Sequence, residues 1–348
     1  QPQVGAKAAI VTEASTGRVI FWQNADQPLP MASTTKLMTT LMVLEEKDLD
    51  QPFVVDQQAI RVEGSSMGLQ QGDTVTLRTL CYGMMLASGN DAANAAAVRC
   101  AGSVEEFVER MNQKAAELGM KDTNFVTPSG LDAEGHQSTA HDMALLMAAA
   151  LQNPDFCQIA SAQTARLEYG NPPYGRTLTN HNKLLWNCEG TVGGKTGFTK
   201  KAGRCLVSAA QREGMTLVCV TLGCPDDWNV QAQLYDRCFE LLEPLPLQQE
   251  EIQIPVAGSG KKIALCPEQK LVLPLTKQEL ELVKQVVLAP SFLYAPVPPG
   301  QRVGEVRCYM GSTLVLTTDL VAGQGAALDF VPKAKADNLW QRLTRKYK

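Results

Sequence analysis

The sequence predicts a mixed α/β chain of the α+β type, an antiparallel sheet covered by helices and followed by a small all-β domain. Strand-like runs stand at both ends of the first 246 residues with helical runs between them, so one sheet is assembled from the two extremities of that stretch. After Glu243-Pro244-Leu245-Pro246 the chain changes character, to short β-branched runs punctuated by Pro and Gly with no long helical period. A length of 348 residues also exceeds what one hydrophobic core usually organises. The expected units are residues 1–246, residues 247–331 as a β-sandwich-like domain, and a tail over residues 332–348.

Taken in order, residues 6–11 and 18–22 read as two strands joined at Thr16-Gly17. Residues 32–44 carry apolar side chains at helical spacing and contain no Gly or Pro, which puts Ser33 at a helix start. Residues 77–87 and 91–101 are rich in Ala, Leu and Met and flank the polar break Ser88-Gly89-Asn90, an inter-helix turn. Ser103-Val104-Glu105-Glu106 is a capping box opening a helix to about Leu118, and Ser138 or Thr139 caps another that runs to about Leu151. Strands return at 194–199, 205–210 and 216–222, the last two forming a hairpin, and an amphipathic helix follows over 228–242.

Composition narrows the function. A net charge of −4 shows no basic stripe for nucleic acid, so no nucleic-acid partner is expected. No apolar run approaches the roughly 20 residues that a membrane span needs. The first residues lack an initiator Met and a signal segment, as in a mature exported form. Ten cysteines are scattered without a repeating spacing; Cys81, Cys100, Cys205 and Cys219 sit in apolar runs and read as packed thiols, with room for one or two disulfides elsewhere. The three histidines, His136, His141 and His181, have no metal-ligand spacing, so neither a metal nor another cofactor is expected. Asp132 or Asp142 with His136 or His141 lacks the Gly-x-Ser-x-Gly elbow of a serine triad and suits loop and cap roles instead.

Three short motifs occur in order: Ser33-Thr34-Thr35-Lys36, Ser88-Gly89-Asn90 and Lys195-Thr196-Gly197. A chain of this length yields by chance about one Ser-x-x-Lys and about one Ser-x-Asn, but only about a tenth of a Lys-Thr-Gly. Ser259 and Lys262 form a second Ser-x-x-Lys, which is taken as accidental because no strand-borne Lys-Thr-Gly follows it. Order and placement give the first set its meaning. Residues i and i+3 share a helix face, so Lys36 brings an amine beside the Ser33 hydroxyl, and an amine whose pKa is lowered by burial or by a neighbouring cation such as Lys195 can take the hydroxyl proton. A helix start also directs unpaired backbone N–H groups at developing negative charge, so the N–H of Ser33 and that of Phe198 are the candidate oxyanion donors. Thr196 and Lys195 suit a carboxylate-terminated peptide, Asn90 can bind a substrate amide, and Ser88 can relay a proton to the leaving amine.

With these motifs the chain resembles the low-molecular-weight penicillin-binding proteins, specifically the D-alanyl-D-alanine carboxypeptidases. The resemblance extends to residues 30–39, Glu63-Gly64-Ser65-Ser66-Met67, residues 88–94, 127–132 with 138–145, and 194–199 with 202–207. It implies a β-lactamase/transpeptidase-like domain, a small β-rich domain and a membrane-associating C-terminus. It further implies removal of the terminal D-Ala from peptidoglycan pentapeptide stems, with covalent inhibition by β-lactams. Carried over by motif, Ser33 is the acylated nucleophile and Lys36 its base; Ser88 and Asn90 complete the proton network, and Lys195, Thr196, Gly197 and Phe198 bind substrate. The chain departs from the family in one place: many members carry an Arg soon after the strand ending near Gly223, where this sequence reads Pro225-Asp226-Asp227-Trp228-Asn229, similar to a sporulation-associated subgroup. The alternatives are a DD-endopeptidase, a serine β-lactamase and a non-catalytic wall-binding scaffold. The basic amphipathic tail, with Leu339, Trp340 and Leu343 among Lys and Arg, suits an anionic membrane surface or a solvated helix, and the resemblance places the protein outside the cytoplasm.

Overall fold

A computed structural model describes residues 3–247 and 251–329. It divides into two compact units, Gln1–Glu243 and a second that begins at Pro244. The first opens with an antiparallel hairpin of β1 (Ala8–Glu13) and β2 (Val19–Gln23), whose turn is closed by the Glu13 carboxylate accepting the N–H groups of Ser15 and Thr16, each at 2.8 Å. A single 3-10 turn, Ala32–Thr35, then leads into α1 (Lys36–Leu44). The sequence spacing predicts α-helix from residue 32. The first turn is tighter because the Thr34 and Thr35 hydroxyls donate to the carbonyls of Met31 and Ala32, three residues back, at 2.6 and 2.8 Å.

A short antiparallel pair, β3 (Phe53–Val54) and β4 (Thr74–Val75), precedes the helices α2 (Leu77–Leu86), α3 (Asn90–Ala101), α4 (Val104–Glu117), α5 (Ala140–Ala150) and α6 (Pro154–Ser161). The side chains of Thr76, Ser103, Thr139 and Asn153 each accept a first-turn N–H, the capping that the Ser, Thr and Asn positions offer. A hairpin of β5 (Thr164–Gly170) and β6 (Pro173–Thr179) follows, then a short α7 (Leu184–Asn187). This hairpin was not legible in the sequence: its strands are largely exposed and carry charged residues, so apolar alternation is weak. The unit closes with β7 (Thr191–Thr199), β8 (Gly203–Arg212), β9 (Met215–Leu222) and α8 (Asp227–Glu240).

The five strands β2-β1-β9-β8-β7 form one sheet in that order, every neighbouring pair antiparallel. Its faces are set by strand alternation. Cys205, Val207 and Ala209 of β8 join the core with α1 to α6, and α5 packs across β1, β8 and β9. On the opposite face α8 covers β8 and β9, where the Ser208 hydroxyl meets Tyr235 Oη at 2.7 Å and Gln231 Nε2 donates to the Leu206 carbonyl at 2.8 Å. Both faces are thus covered, which is why β8 and β9 read as near-continuous apolar runs. β7 is left at an edge, with backbone groups that no further described strand occupies.

β10 (Glu243–Pro246) starts on the last residue of the first unit, and the second unit continues with β11 (Ile252–Ala257), β12 (Lys261–Pro267), β13 (Val272–Leu275), a one-turn α9 (Lys277–Leu280), β14 (Val283–Leu288), β15 (Leu293–Tyr294), β16 (Arg302–Met310) and β17 (Thr313–Ala322). Six strands form a sheet in the order β14-β16-β17-β12-β11-β15, and β10 pairs with β13. Small clusters such as Ile254, Leu265, Val306 and Leu320 make its core. Ser259 lies in the turn between β11 and β12, where its hydroxyl donates to the Val256 carbonyl at 3.1 Å and accepts the Lys261 N–H at 3.2 Å. The second Ser-x-x-Lys is therefore a turn lock with no helix to bring Lys262 beside the serine.

All ten cysteines are free thiols; Cys81, Cys205 and Cys219 are buried and Cys100 is partly so. Among the described residues no helix is long and apolar enough to cross a membrane. The basic tail, residues 332–348, lies outside the described residues.

Candidate active site

The site begins with backbone strain. Ala32 has φ +49°, a left-handed conformation that costs a residue with a Cβ about 1 kcal/mol or more and persists only where neighbours enforce it. Gly130 (φ +88°) is one enforcer: a Cβ there would lie 2.0 Å from the Ala32 carbonyl oxygen, so only glycine lets that loop close on the turn. His136 is another. Its Nδ1 accepts the Val126 N–H at 2.9 Å, so the ring proton sits on Nε2 and is donated to the Thr35 hydroxyl at 2.8 Å, which in turn donates to the Ala32 carbonyl at 2.8 Å. The result is a fixed turn that presents Ser33, partly exposed, at the mouth of a cavity.

Lys36 is wholly buried, one turn on from Ser33. Its Nζ makes three contacts, with Ser33 Oγ at 2.9 Å, Asn90 Oδ1 at 2.7 Å and the Ser129 carbonyl at 2.6 Å. Burial drives its pKa well below the ordinary lysine value, and the charge of Lys195 pushes it lower still, against a smaller upward pull from Asp91. Two of the three partners are carbonyl oxygens, which cannot donate. A neutral amine gives them its two hydrogens, and its lone pair is left facing the Ser33 hydroxyl.

Ser88 and Asn90 come from the junction of α2 and α3, where Ser88 itself has φ +58°. Asn90 is the first residue of α3; its Nδ2 donates to the Glu63 carbonyl at 2.7 Å while its Oδ1 receives Lys36. Next to it the buried Asp91 accepts from the Ser66 hydroxyl at 2.6 Å and from the N–H groups of Met67 and Leu69, both at 3.0 Å. This carboxylate ties the Glu63-Gly64-Ser65-Ser66-Met67 loop to the site. Residue type alone did not expose it; an acid in the first turn of α3 is the signal that was present.

From β7, Lys195 reaches Ser88 Oγ at 3.0 Å and its neighbour's Thr196 carbonyl at 2.7 Å. Burial alone lowers its pKa to about 7. β7 runs directly past Ser33: a Cβ on Gly197 would lie 2.9 Å from the Ser33 nitrogen and 3.0 Å from that of Thr34, so glycine is required for the approach. Ser33, Ser88, Thr196, Gly197 and the exposed Phe198 line a cavity of ≈ 500 Å³, while Lys36, Asn90 and Lys195 stand behind it. The tertiary structure adds Ser65, His181, Arg204, Asp227 and Trp228 to the lining. Ser65, Arg204, Asp227 and Trp228 fall in stretches that the sequence marks by resemblance or departure, but only the fold brings them to one cavity.

His136 makes stability depend on pH. Burial pushes its pKa from about 6.5 down to about 4, with Asp132 pulling upward and Lys201 downward. The unfolded chain therefore binds the extra proton between those values, and stability, complete above about pH 6.5, falls as pH drops toward 4 by about 3 kcal/mol from this group. Urea unfolding at pH 7 and pH 4.5 is expected to give a smaller difference for His136→Gln than for the wild type. An equal pH difference in both proteins would remove His136 as its source.

Residues 1–226 match the family described as D-alanyl-D-alanine carboxypeptidase, and residues 244–326 match penicillin-binding protein 5, C-terminal domain. The chain is 33% identical over 327 residues to D-alanyl-D-alanine carboxypeptidase DacF of Bacillus subtilis (strain 168), covering 90% of this chain and 82% of that one. It is 37% identical over 248 residues to DacB2 of Mycobacterium tuberculosis, covering 69% and 84%. The crystal structure of penicillin binding protein 5 from Haemophilus influenzae superposes with a TM-score of 0.70 at 28% identity, over 94% of this chain and 99% of that one.

Proposed function

This chain belongs to the D-alanyl-D-alanine carboxypeptidase family, and from that premise we propose that Ser33 is the nucleophile with which it, a serine peptidase, releases the terminal D-Ala of peptidoglycan pentapeptide stems. One observation carries the reading: the buried Lys36 amine, held by two carbonyl acceptors, faces the Ser33 hydroxyl at 2.9 Å. Neutral Lys36 takes the Ser33 proton as Oγ attacks the scissile carbonyl carbon. Negative charge then forms on the carbonyl oxygen, between the N–H groups of Ser33 and Phe198. Collapse breaks the C–N bond, and Ser88, hydrogen-bonded to Lys195, relays to the departing D-Ala amine the proton that Lys36 took, which returns Lys36 to its neutral form and leaves the Ser88 hydroxyl intact. Water hydrolyses the Ser33 ester by the same groups acting in reverse. Thr196, on the cavity wall, offers its hydroxyl to the stem's carboxylate, while the buried Lys195 and Asn90 stand behind the wall and hold Ser88 and Lys36. A β-lactam presents its ring amide to the same hydroxyl and leaves a covalent adduct.

The test is intact mass and peptide mapping after exposure to a β-lactam, with D-Ala release from a pentapeptide ending in D-Ala-D-Ala. A stable Ser33 adduct together with D-Ala release is the expected result. Rapid β-lactam turnover indicates a β-lactamase, an adduct without D-Ala release an endopeptidase, and neither signal a non-catalytic wall-binding protein. Such a substrate places the protein outside the cytoplasmic membrane, as an exported enzyme acting on the cell wall and on cell shape. Its basic, Trp-containing tail supports attachment to an anionic membrane surface. The full chain is expected to sediment with vesicles of anionic phospholipid, and a chain cut after Pro332 to remain in solution; equal sedimentation of the two excludes the tail as the anchor.

A further inference from the structure

We infer that Arg204, held in place by Asp227 and Trp228, is the cation that recognises the substrate's terminal carboxylate. The inference rests on the Ser33 reading and adds to it a determinant of specificity. A carboxylate bound out of bulk water needs a lasting positive charge opposite it. Lys195 serves that need poorly: burial brings its pKa to about 7, and its Nζ already donates to Ser88 Oγ and to the Thr196 carbonyl. Thr196 is neutral. A guanidinium stays charged at every working pH.

Arg204 lines the same cavity as Ser33 and Thr196. It stands opposite Phe198 in the β7–β8 ladder, while Leu206 is opposite Thr196. Arg204 and Thr196 are therefore diagonal neighbours on one face of the sheet, about 7 Å apart at the backbone and within reach of a long side chain. Its guanidinium is fixed from behind. Nε and Nη2 donate to Asp227 Oδ1 at 3.0 and 2.6 Å, and the same oxygen accepts the Trp228 N–H at 2.9 Å. Asp227 is 2% exposed and Arg204 38%, so the carboxylate sits in the wall and the guanidinium at its surface. The Trp228 ring lies 5.1 Å from the guanidinium carbon and flanks it. Among the described residues Nη1 has no hydrogen-bond partner, which leaves it available to a ligand oxygen beside the Thr196 hydroxyl. Pro225-Asp226-Asp227-Trp228 carries no arginine of its own; it supplies the acid and the ring that orient one from the neighbouring strand. Lys183 also borders the cavity, but it is exposed and its side chain makes no hydrogen bond among the described residues, so fixing it costs conformational entropy that Arg204 has already lost.

The test uses the full chain and measures second-order rate constants for Ser33 acylation by benzylpenicillin, which carries a carboxylate, and by its methyl ester, which does not. The wild type is expected to prefer the acid. Arg204→Gln is expected to lose ~10- to 100-fold with the acid and to change little with the ester, because a charged hydrogen bond is removed for one ligand only. Arg204→Lys should retain part of the preference, and Asp227→Asn should lose part of it, as fits a positioning residue. An equal fall with both ligands, no fall with either, or loss of the preference in Lys183→Ala alone overturns the assignment. Wild-type protein that forms no Ser33 adduct instead overturns the nucleophile reading, so the two failures are distinguishable.

Discussion

Ser33→Ala is expected to lower D-Ala release by ~10⁴-fold or more and to abolish the covalent β-lactam adduct, since a nucleophile in a coupled acyl-transfer site carries most of the rate. The expected cost in stability is small. The Ser33 hydroxyl has Lys36 Nζ as its partner and stands at the partly exposed mouth of the cavity, and the Lys36 amine keeps Asn90 Oδ1 and the Ser129 carbonyl after the change. The backbone of the turn does not depend on the serine side chain, because its locks are Thr34, Thr35, His136 and Gly130. Intact mass and D-Ala assay on a variant with an unchanged melting temperature provide the check. A surviving adduct mapped to Ser259 or to any other serine would sink the assignment, although Ser259, on a turn without a lysine amine beside it, offers no base for such chemistry.

Lys36→Met, a substitution of similar shape, is expected to reduce the Ser33 acylation rate by ~10²- to 10⁴-fold, the range of a lost general base. The variant also tests the sign of the pH dependence. With neutral Lys36 as the base, wild-type acylation is expected to fall as pH drops through the lowered Lys36 pKa and the ammonium accumulates. Removing the amine should remove that acid limb along with the rate. Stability is expected to respond less. Asn90 Oδ1 and the Ser129 carbonyl lose a donor, at about 1–3 kcal/mol for each buried group left unpaired, while deleting a desolvated amine gives some of this back. A wild-type acylation rate and unaltered pH profile in Lys36→Met would move the base to another residue, with Lys195 the next amine along the chain of contacts through Ser88.

Much of the site is legible in the amino-acid sequence, for a local reason. Ser33 and Lys36 are three residues apart on one helical turn, Ser88 and Asn90 share a single break, and Lys195, Thr196 and Gly197 share a single strand, so each motif's internal geometry is short-range. The capping residues Ser103 and Thr139 and the hairpin of β8 and β9 are legible on the same terms. The 3-10 form of the Ser33 turn is not, because it depends on hydroxyls bonding backward and on a histidine about a hundred residues away. The β5–β6 hairpin escapes a sequence reading because exposed strands leave little apolar alternation.

What the amino-acid order determined by itself is therefore the chemistry available: the hydroxyls of Ser33, Ser88 and Thr196, two amines, an amide and a glycine-bearing strand, each with its local scaffold. What only the tertiary structure decided is how those groups act on one another. Burial brings down the Lys36 and Lys195 amines. The packing of Gly130 and Gly197 holds the Ala32–Ser33 turn against β7. Pairing of β7 with β8 sets Arg204 beside Thr196, with Asp227 from α8 behind it. Desolvation, close approach and charge pairing depend on distances between residues far apart in sequence, and those distances are fixed only once the core has closed.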